Sequence, residues 1–273
     1  MTVEQIKEAK NYIESQGIHD AQIGIVLGTG LGNLAEQIEK EKEVPYEDIP
    51  HFPVSTVESH SGKLIYGNLG GKKVLAMQGR FHYYEGYSAA EITFPIRVMH
   101  QLGVQRLLIS NAAGTVNPDF KKGSLMLIDD HINMIPDNPL RGKNMDAFGP
   151  RFPDMSQPYD AEMNALLKQL AQELSITLHE GVYTPVAGPN LETRAEYRYL
   201  RRIGSDAVGM STVPEVIVAN HMGLRCVAIS VLTDECDPDN LLPVSIAEIL
   251  EIAGRAEKDL TQLYVALIEC IQL

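Results

Sequence analysis

Residues 23–38 read IGIVLGTGLGNLAEQI. The short apolar run Ile23 to Leu27 suits a strand covered on both faces. Gly28-Thr29-Gly30-Leu31-Gly32 then forms a tight turn, and Asn33 opens a helix that it can cap. A buried strand that passes through glycines into a helix is the opening unit of an α/β sheet. Glycines let backbone approach an anion closely, the helix start supplies N–H donors and partial positive charge, and Thr29 adds a hydroxyl. The spacing is G-x-G-x-G. Asn33 stands where a dinucleotide fingerprint has its third glycine, and the Gly-Lys-Ser/Thr of a P-loop is missing. Tight packing alone also accounts for such a turn.

The same grammar recurs along the chain. Lys63 to Leu69 and Lys73 to Met77 read as a hairpin turning at Gly70-Gly71, and the second strand leads to Gln78-Gly79. Arg80, His82 and Tyr84 follow at every second position, so in extended backbone they share one face. That face offers a guanidinium fork and an imidazole donor, a pairing that suits a phosphate or carboxylate; a solvated strand end is the equal alternative. Leu107 to Ser110 runs into the small residues Asn111-Ala112-Ala113-Gly114-Thr115. Ser124 to Ile128 is a further strand, followed by Asp129-Asp130-His131. Thr177 to Tyr183 leads to a turn at Gly188-Pro189-Asn190 and a helix that Glu192 begins, where the carboxylate favours the dipole or reads a ligand's N–H groups. Asp206 to Met210 precedes Ser211-Thr212, which caps a helix starting near Pro214. Arg225 to Leu232 ends in Thr233-Asp234-Glu235.

Helices are expected over residues 3–15, over Ser88 to Gln101 with a Ser88/Glu91 capping box and a kink at Pro95, over Asp160 to Leu174, and over Ser245 to Ile271. Residues 44–62 read as a proline-rich connection. Its His51 and His60 lack ligand spacing to another His or Cys, so a metal site is not indicated. From Asn133 to Tyr159 the chain is aperiodic, with exposed-looking Phe148 and Phe152, as in a functional loop or subunit contact. The expected architecture is one α/β domain over residues 1–273, a mixed, mostly parallel central β-sheet flanked by helices on both faces. Ligands of such sheets collect beyond the carboxyl ends of the strands, where all these loops lie.

Composition removes whole classes of function. The formal net charge of −13 argues against a nucleic-acid or anionic-membrane surface, leaving room for a small anion at a local cationic cluster. No apolar run is long enough to span a bilayer, and the first residues mix acids and bases unlike a signal or transit peptide. Cys226, Cys236 and Cys270 are odd in number and lack C-x-x-C spacing, which suits a reducing, cytoplasmic compartment.

The stretches GTGLG, GRFHYYEG, SNAAG, RFPDMS, AGPNLETRAE and AVGMSTVPE, in this order, closely resemble the trimeric purine nucleoside phosphorylases from about Gly24 to the final helix. The resemblance implies reversible phosphorolysis of a purine nucleoside to free base and pentose 1-phosphate. Inorganic phosphate would be a co-substrate, with no metal or organic cofactor. By motif position, phosphate would be held by Thr29, Arg80, His82, the backbone N–H of Ala112 and Ser211, with His60 on a loop near it. Tyr84 and Met210 would contact the ribose. Glu192 would accept from N1–H and the 2-amino group of a 6-oxopurine. Phe152 would reach a neighbouring subunit's site in a homotrimer. His82, Glu192 and Asp234 are the candidate catalytic residues.

Three positions depart from the family pattern. Asp234 stands where an Asn faces N7 and O6: ionised it would suit a 6-amino group, and protonated it could donate to N7 or O6. Ile246 stands where a His often contacts the 5′-hydroxyl, and Leu191 replaces a Phe that stacks on the base. Inosine and guanosine are the expected substrates, with adenosine or 5′-methylthioadenosine the alternative. Two other classes are a nicotinamide-dependent oxidoreductase, opposed by the missing third glycine, and a non-catalytic nucleoside-binding protein, opposed by Arg80, His82 and Ser211, which a sensor would not need.

Overall fold

The computed structural model describes residues 1–28, 31–54 and 62–273, so Thr29 and His60 lie outside the described residues. The helices are α1 (Val3–Ser15), α2 (Ala89–Ile92), α3 (Phe94–Gln101), α4 (Ala161–Glu173), α5 (Arg194–Arg202), α6 (Val213–His221) and α7 (Ile246–Cys270). The strands are β1 (Ile23–Leu27), β2 (Glu39–Pro45), β3 (Lys63–Leu69), β4 (Lys72–Gln78), β5 (Arg106–Thr115), β6 (Leu125–His131), β7 (Leu178–Pro185), β8 (Ala207–Gly209) and β9 (Arg225–Glu235). They join one mixed sheet in the order β2-β3-β4-β1-β5-β8-β7-β6-β9, and an additional β5–β9 pairing closes β5, β8, β7, β6 and β9 into a five-stranded barrel.

The long strand β5 makes this possible. One edge pairs with β9 from Arg106 to Thr115. Its other edge is shared: residues 106–109 pair in parallel with β1, and Gly114 and Thr115 pair antiparallel with β8. Helices cover both faces, as strand alternation requires. Ile23, Ile25 and Leu27 of β1 pack with α4 and α7, whereas Val26 packs with α1, α3 and α6. Each fully buried Leu or Ile in these layers stabilises the fold by about 1.5–3 kcal/mol, and the Tyr264 hydroxyl of α7 donates to Ile109 O at 2.6 Å inside the second layer.

Several local expectations change. Strand β2, EKEKEVP, runs into the stretch expected to be a connection; only Val44 is buried, so it carries no apolar alternation. Its charges suit a sheet edge, where they discourage pairing with another chain. Residues 111–115 are strand, not loop, because β9 supplies backbone partners to small side chains. The helix after the glycine turn is a 3-10 segment, Asn33–Gln37, and Asn33 does not cap it. Instead buried Glu257 of α7 accepts from the Asn33 and Leu34 N–H groups and, at 2.6 Å, from Asn33 Nδ2. The Ser88 capping box is present, and the helix breaks at Thr93, two residues before Pro95. Phe148 is buried, with the Arg97 guanidinium 5.4 Å from its ring centroid, whereas Phe152 is 86% exposed.

Candidate active site

The loops after β1, β4, β7 and β8, the second half of β5 and the end of β9 meet around a cleft of about 170 Å³. The cleft forms at the break in the shared edge of β5. Among the described residues, no strand pairs with that edge between Ile109, where β1 stops, and Gly114, where β8 begins. Asn111, Ala112, Ala113 and Gly114 line the cleft. Gly28 closes its floor, and a Cβ there would lie 2.8 Å from Asn111 Cα, so only glycine allows β1 to approach this strand.

One end carries a buried guanidinium. Arg80 is 1% exposed; its Nη1 donates to Ser211 Oγ at 3.0 Å, and its Nε lies 3.3 Å from Glu215 Oε1 in the first turn of α6. Ser211 and Thr212 do not cap α6 with their side chains, as the sequence suggested. Thr212 is the centre of a γ-turn, with φ +72°, ψ −56° and Val213 N–H donating to Ser211 O at 2.8 Å. Positive φ at a β-branched residue is strained, a feature that clusters at functional sites. The turn directs both hydroxyls inward, where Thr212 Oγ1 accepts from Asn111 Nδ2 at 2.9 Å.

His82 sits beside Arg80 and stacks on Tyr84 at 4.7 Å between ring centroids. Glu85 Oε1 accepts from the His82 backbone N–H at 2.8 Å and meets Nδ1 at 3.0 Å, so the ring carries its hydrogen on Nδ1. Burial is the largest cause pushing the His82 pKa below its usual value; the Glu85 hydrogen bond opposes this and the Arg80 charge adds to it.

The opposite end carries two carboxylates. Glu192 precedes Thr193, the N-cap of α5, rather than beginning the helix. Burial holds its carboxyl above the usual range; the Tyr197 hydroxyl opposes the shift and the Asp234 charge reinforces it. Asp234, at the end of β9, accepts from Thr233 Oγ1 on Oδ1 at 2.9 Å and from Cys236 Sγ on Oδ2 at 3.1 Å. Met210 and Leu191 lie along the wall between the ends.

The structure thus brings together Arg80, His82, Tyr84, Ala112, Leu191, Glu192, Met210, Ser211 and Asp234. It places Phe152 away from them, in a surface depression with Arg151, His131 and Met155. Ile246 is 65% exposed in the first turn of α7, and Ile249 lines the cleft instead. Residues with no site role in the sequence reading include Glu85, Thr212, Glu215, Tyr197 and Cys236. Only Glu85 had a local signal, the i, i+3 spacing to His82. Among the described residues no group of three or more His, Cys, Asp or Glu is arranged to hold a metal ion, and no helix is long and apolar enough to cross a membrane.

Residues 22–269 match the family model described as the phosphorylase superfamily. The chain is 49% identical over 265 residues to purine nucleoside phosphorylase 1 of Bacillus subtilis, covering 97% of this chain and 98% of that one. It superposes on isoform 2 of purine nucleoside phosphorylase from Schistosoma mansoni, solved with cytosine and ribose-1-phosphate, with a TM-score of 0.95 at 42% identity, covering 100% and 98% of the two chains. A Schistosoma purine nucleoside phosphorylase solved with hypoxanthine gives a TM-score of 0.93 at 40% identity, covering 100% and 99%.

Proposed function

The chain belongs to the phosphorylase superfamily, among its purine nucleoside phosphorylases, and from this membership together with the site geometry we infer how its residues divide the reaction and which purines it takes. The enzyme exchanges the glycosidic bond of a purine nucleoside for a bond to phosphate. A phosphate oxygen attacks C1′, the C1′–N9 bond breaks, and the electron pair leaves with the base. The transition state resembles an oxocarbenium ion, as in glycoside hydrolysis.

Phosphate binds at Arg80, Ser211 and the Ala112 backbone beside His82; Thr29 and His60, outside the described residues, are assigned to the same anion by the motif resemblance alone. The observation that carries this assignment is the buried Arg80 guanidinium, fixed by Ser211 and Glu215 at the cleft's cationic end. Held there, the anion both attacks and stabilises the positive sugar ring, an interaction strongest in the transition state. The stacked Tyr84 and Met210 take the ribose.

The purine lies at the carboxylate end, where the departing charge is relieved by protonation or hydrogen bonding at N7. Glu192 accepts from N1–H and so favours 6-oxopurines. Adenosine or 5′-methylthioadenosine is the second reading, favoured by Asp234 as a paired acceptor and by an exposed aliphatic Ile246. Phe152, exposed on its loop, closes the site of a neighbouring subunit in a homotrimer. The deciding experiment is phosphate-dependent cleavage of inosine, guanosine, adenosine and 5′-methylthioadenosine by the purified protein. Faster cleavage of inosine and guanosine supports the 6-oxopurine assignment, and faster cleavage of the 6-amino substrates replaces it with the second reading.

A further inference from the structure

The two carboxylates at the base end are not bare. Cys236 Sγ lies 3.1 Å from Asp234 Oδ2. The Tyr197 hydroxyl lines the same cleft and bears on both the Cys236 thiol and the Glu192 carboxyl. Glu192, Tyr197, Cys236 and Asp234 all line this end of the cleft. The other donor to Asp234, Thr233 Oγ1, has one hydrogen and two acceptors, Asp234 Oδ1 at 2.9 Å and Ala113 O at 3.3 Å. Cys236 is the more committed donor. Burial, then the Asp234 charge, pushes its pKa up, so the sulfur keeps its hydrogen at neutral pH.

The four groups have two side-chain donors to share, the tyrosine hydroxyl and the thiol, each with one hydrogen. The arrangement that serves both carboxylates places the tyrosine hydrogen on Glu192 and the thiol hydrogen on Asp234. The backbone makes room for it, because a Cβ on Gly114 would lie 2.5 Å from Cys236 Sγ and 2.9 Å from Asp234 Oδ2. Cys236 also packs with Val116, Leu200 and Val208, and a filler of that small cluster would need only volume, not a hydrogen.

We propose that Cys236 and Tyr197 are specificity-determining positioning residues, each committing its single hydrogen to one acid so that Asp234 and Glu192 both face the purine as acceptors. The proposal rests on the phosphorolysis reading above and deepens it by naming what sets the choice of base. A 6-oxopurine gives N1–H to Glu192 but turns O6, an acceptor, toward Asp234. A 6-aminopurine gives its amino hydrogens to Asp234 but turns N1, an acceptor, toward Glu192. Each base is matched at one acid and opposed at the other, so the two supporting donors hold the balance. Removing the thiol takes from Asp234 Oδ2 its committed donor and loosens the acceptor that a 6-amino group needs, favouring 6-oxopurines. Removing the tyrosine hydroxyl lets Glu192 take a proton and donate to N1, favouring 6-aminopurines.

The test compares kcat/KM for inosine and adenosine at saturating phosphate in the wild type, Cys236→Ala, Cys236→Ser and Tyr197→Phe. One hydrogen bond to a charged group corresponds to about a tenfold change. The inosine-to-adenosine ratio should rise about that much in Cys236→Ala and fall about that much in Tyr197→Phe. Serine restores a donor, so Cys236→Ser should return to within about twofold of wild type. An unchanged ratio in Cys236→Ala, a serine variant that behaves like alanine, or shifts of the same sign in Cys236→Ala and Tyr197→Phe would overturn the proposal in favour of packing alone. Calorimetric binding of hypoxanthine and adenine in the presence of phosphate reads the same balance without turnover. If the wild type cleaves neither nucleoside, the phosphorolysis reading fails, and base binding still decides the role of the pair.

Discussion

Replacing Arg80 by alanine removes two things at once, and the structure separates them. The guanidinium is the cation proposed to hold phosphate, and it is also the partner of Glu215, which is 4% exposed. Two hydrogen bonds to a charged ligand at about 1.5–3 kcal/mol each predict a loss of about 3–6 kcal/mol in transition-state binding, a fall of roughly 10²–10⁴-fold in kcat/KM for phosphate. Stranding a buried carboxylate without its partner costs about 3–5 kcal/mol of stability. The second substitution Glu215→Gln removes that uncompensated charge but supplies no cation. Arg80→Ala should therefore lose both melting temperature and phosphate use, and Arg80→Ala/Glu215→Gln should recover most of the melting temperature with phosphate use still impaired. The assay is initial rate against phosphate concentration at saturating inosine, alongside thermal denaturation. If kcat/KM for phosphate is unchanged in the single variant, Arg80 does not bind phosphate. If it recovers in the double variant together with stability, Arg80 acted by holding α6 in place.

Glu257→Ala should leave the Asn33 and Leu34 N–H groups without their acceptor, lowering stability by about 1–3 kcal/mol for the buried Leu34 donor and by less for the exposed Asn33; because those residues follow the glycine turn, the phosphate KM should rise more than the nucleoside KM in steady-state kinetics. His82, His100, His131, His179 and His221 all have pKa values held below 6.5, with burial the largest cause. The unfolded chain then binds more protons than the folded one as pH falls through 6.5, so their contribution is complete above that value and is lost below it; the melting temperature should drop between about pH 6.5 and 5.5, and a flat profile across that window would contradict this. Phe152→Ala should raise the nucleoside KM without altering the melting temperature of a subunit in which the ring is 86% exposed. An unchanged nucleoside KM, or a monomeric protein by sedimentation that is fully active, would remove the neighbouring-subunit role.

What could be read in the sequence was what local chemistry writes locally. The run Ile23 to Leu27 and the Ser88/Glu91 capping box each carry their signal within a few residues, and both are present, whereas the expected alternation of Arg80, His82 and Tyr84 along one strand is not: β4 ends at Gln78 and Tyr84 lies in a 3-10 turn, Tyr83–Glu85. The architecture was legible too, because apolar strands alternating with helices leave few ways to cover both faces of a sheet. Closure into a barrel was not, since it depends on β5 meeting β9 more than 110 residues later in the chain. Long-range pairing also converted Asn111–Thr115 from apparent loop to strand. The supports of the site were hidden for the same reason. Glu215 reads as an acid in the first turn of a helix, Glu257 as one more charge on a long amphipathic helix, and Cys236 as a small hydrophobe. Their partners Arg80, Asn33 and Tyr197 are remote in sequence.

The position of the cleft follows from a competition for one strand edge. β1 belongs to the open half of the sheet and β8 to the barrel, yet both pair with the same side of β5. A regular sheet would let one neighbour run the full length of that edge, leaving no gap for a ligand. Here β8 is only three residues long and ends in Gly209, immediately before Met210 and the strained turn at Thr212. β1 stops at Leu27, where the chain enters its glycine turn. Both neighbours thus give way at the point where β5 carries Asn111, Ala112 and Ala113, whose small or polar side chains leave the backbone open. Backbone groups freed from a ladder need other partners when buried. Asn111 supports the Thr212 hydroxyl, Ser110 Oγ accepts from Gly28 N–H, and the remaining gap is bounded by Arg80 at one end and two carboxylates at the other. A ligand that is anionic at one end and carries N–H donors at the other completes that edge, as phosphate beside a purine nucleoside does.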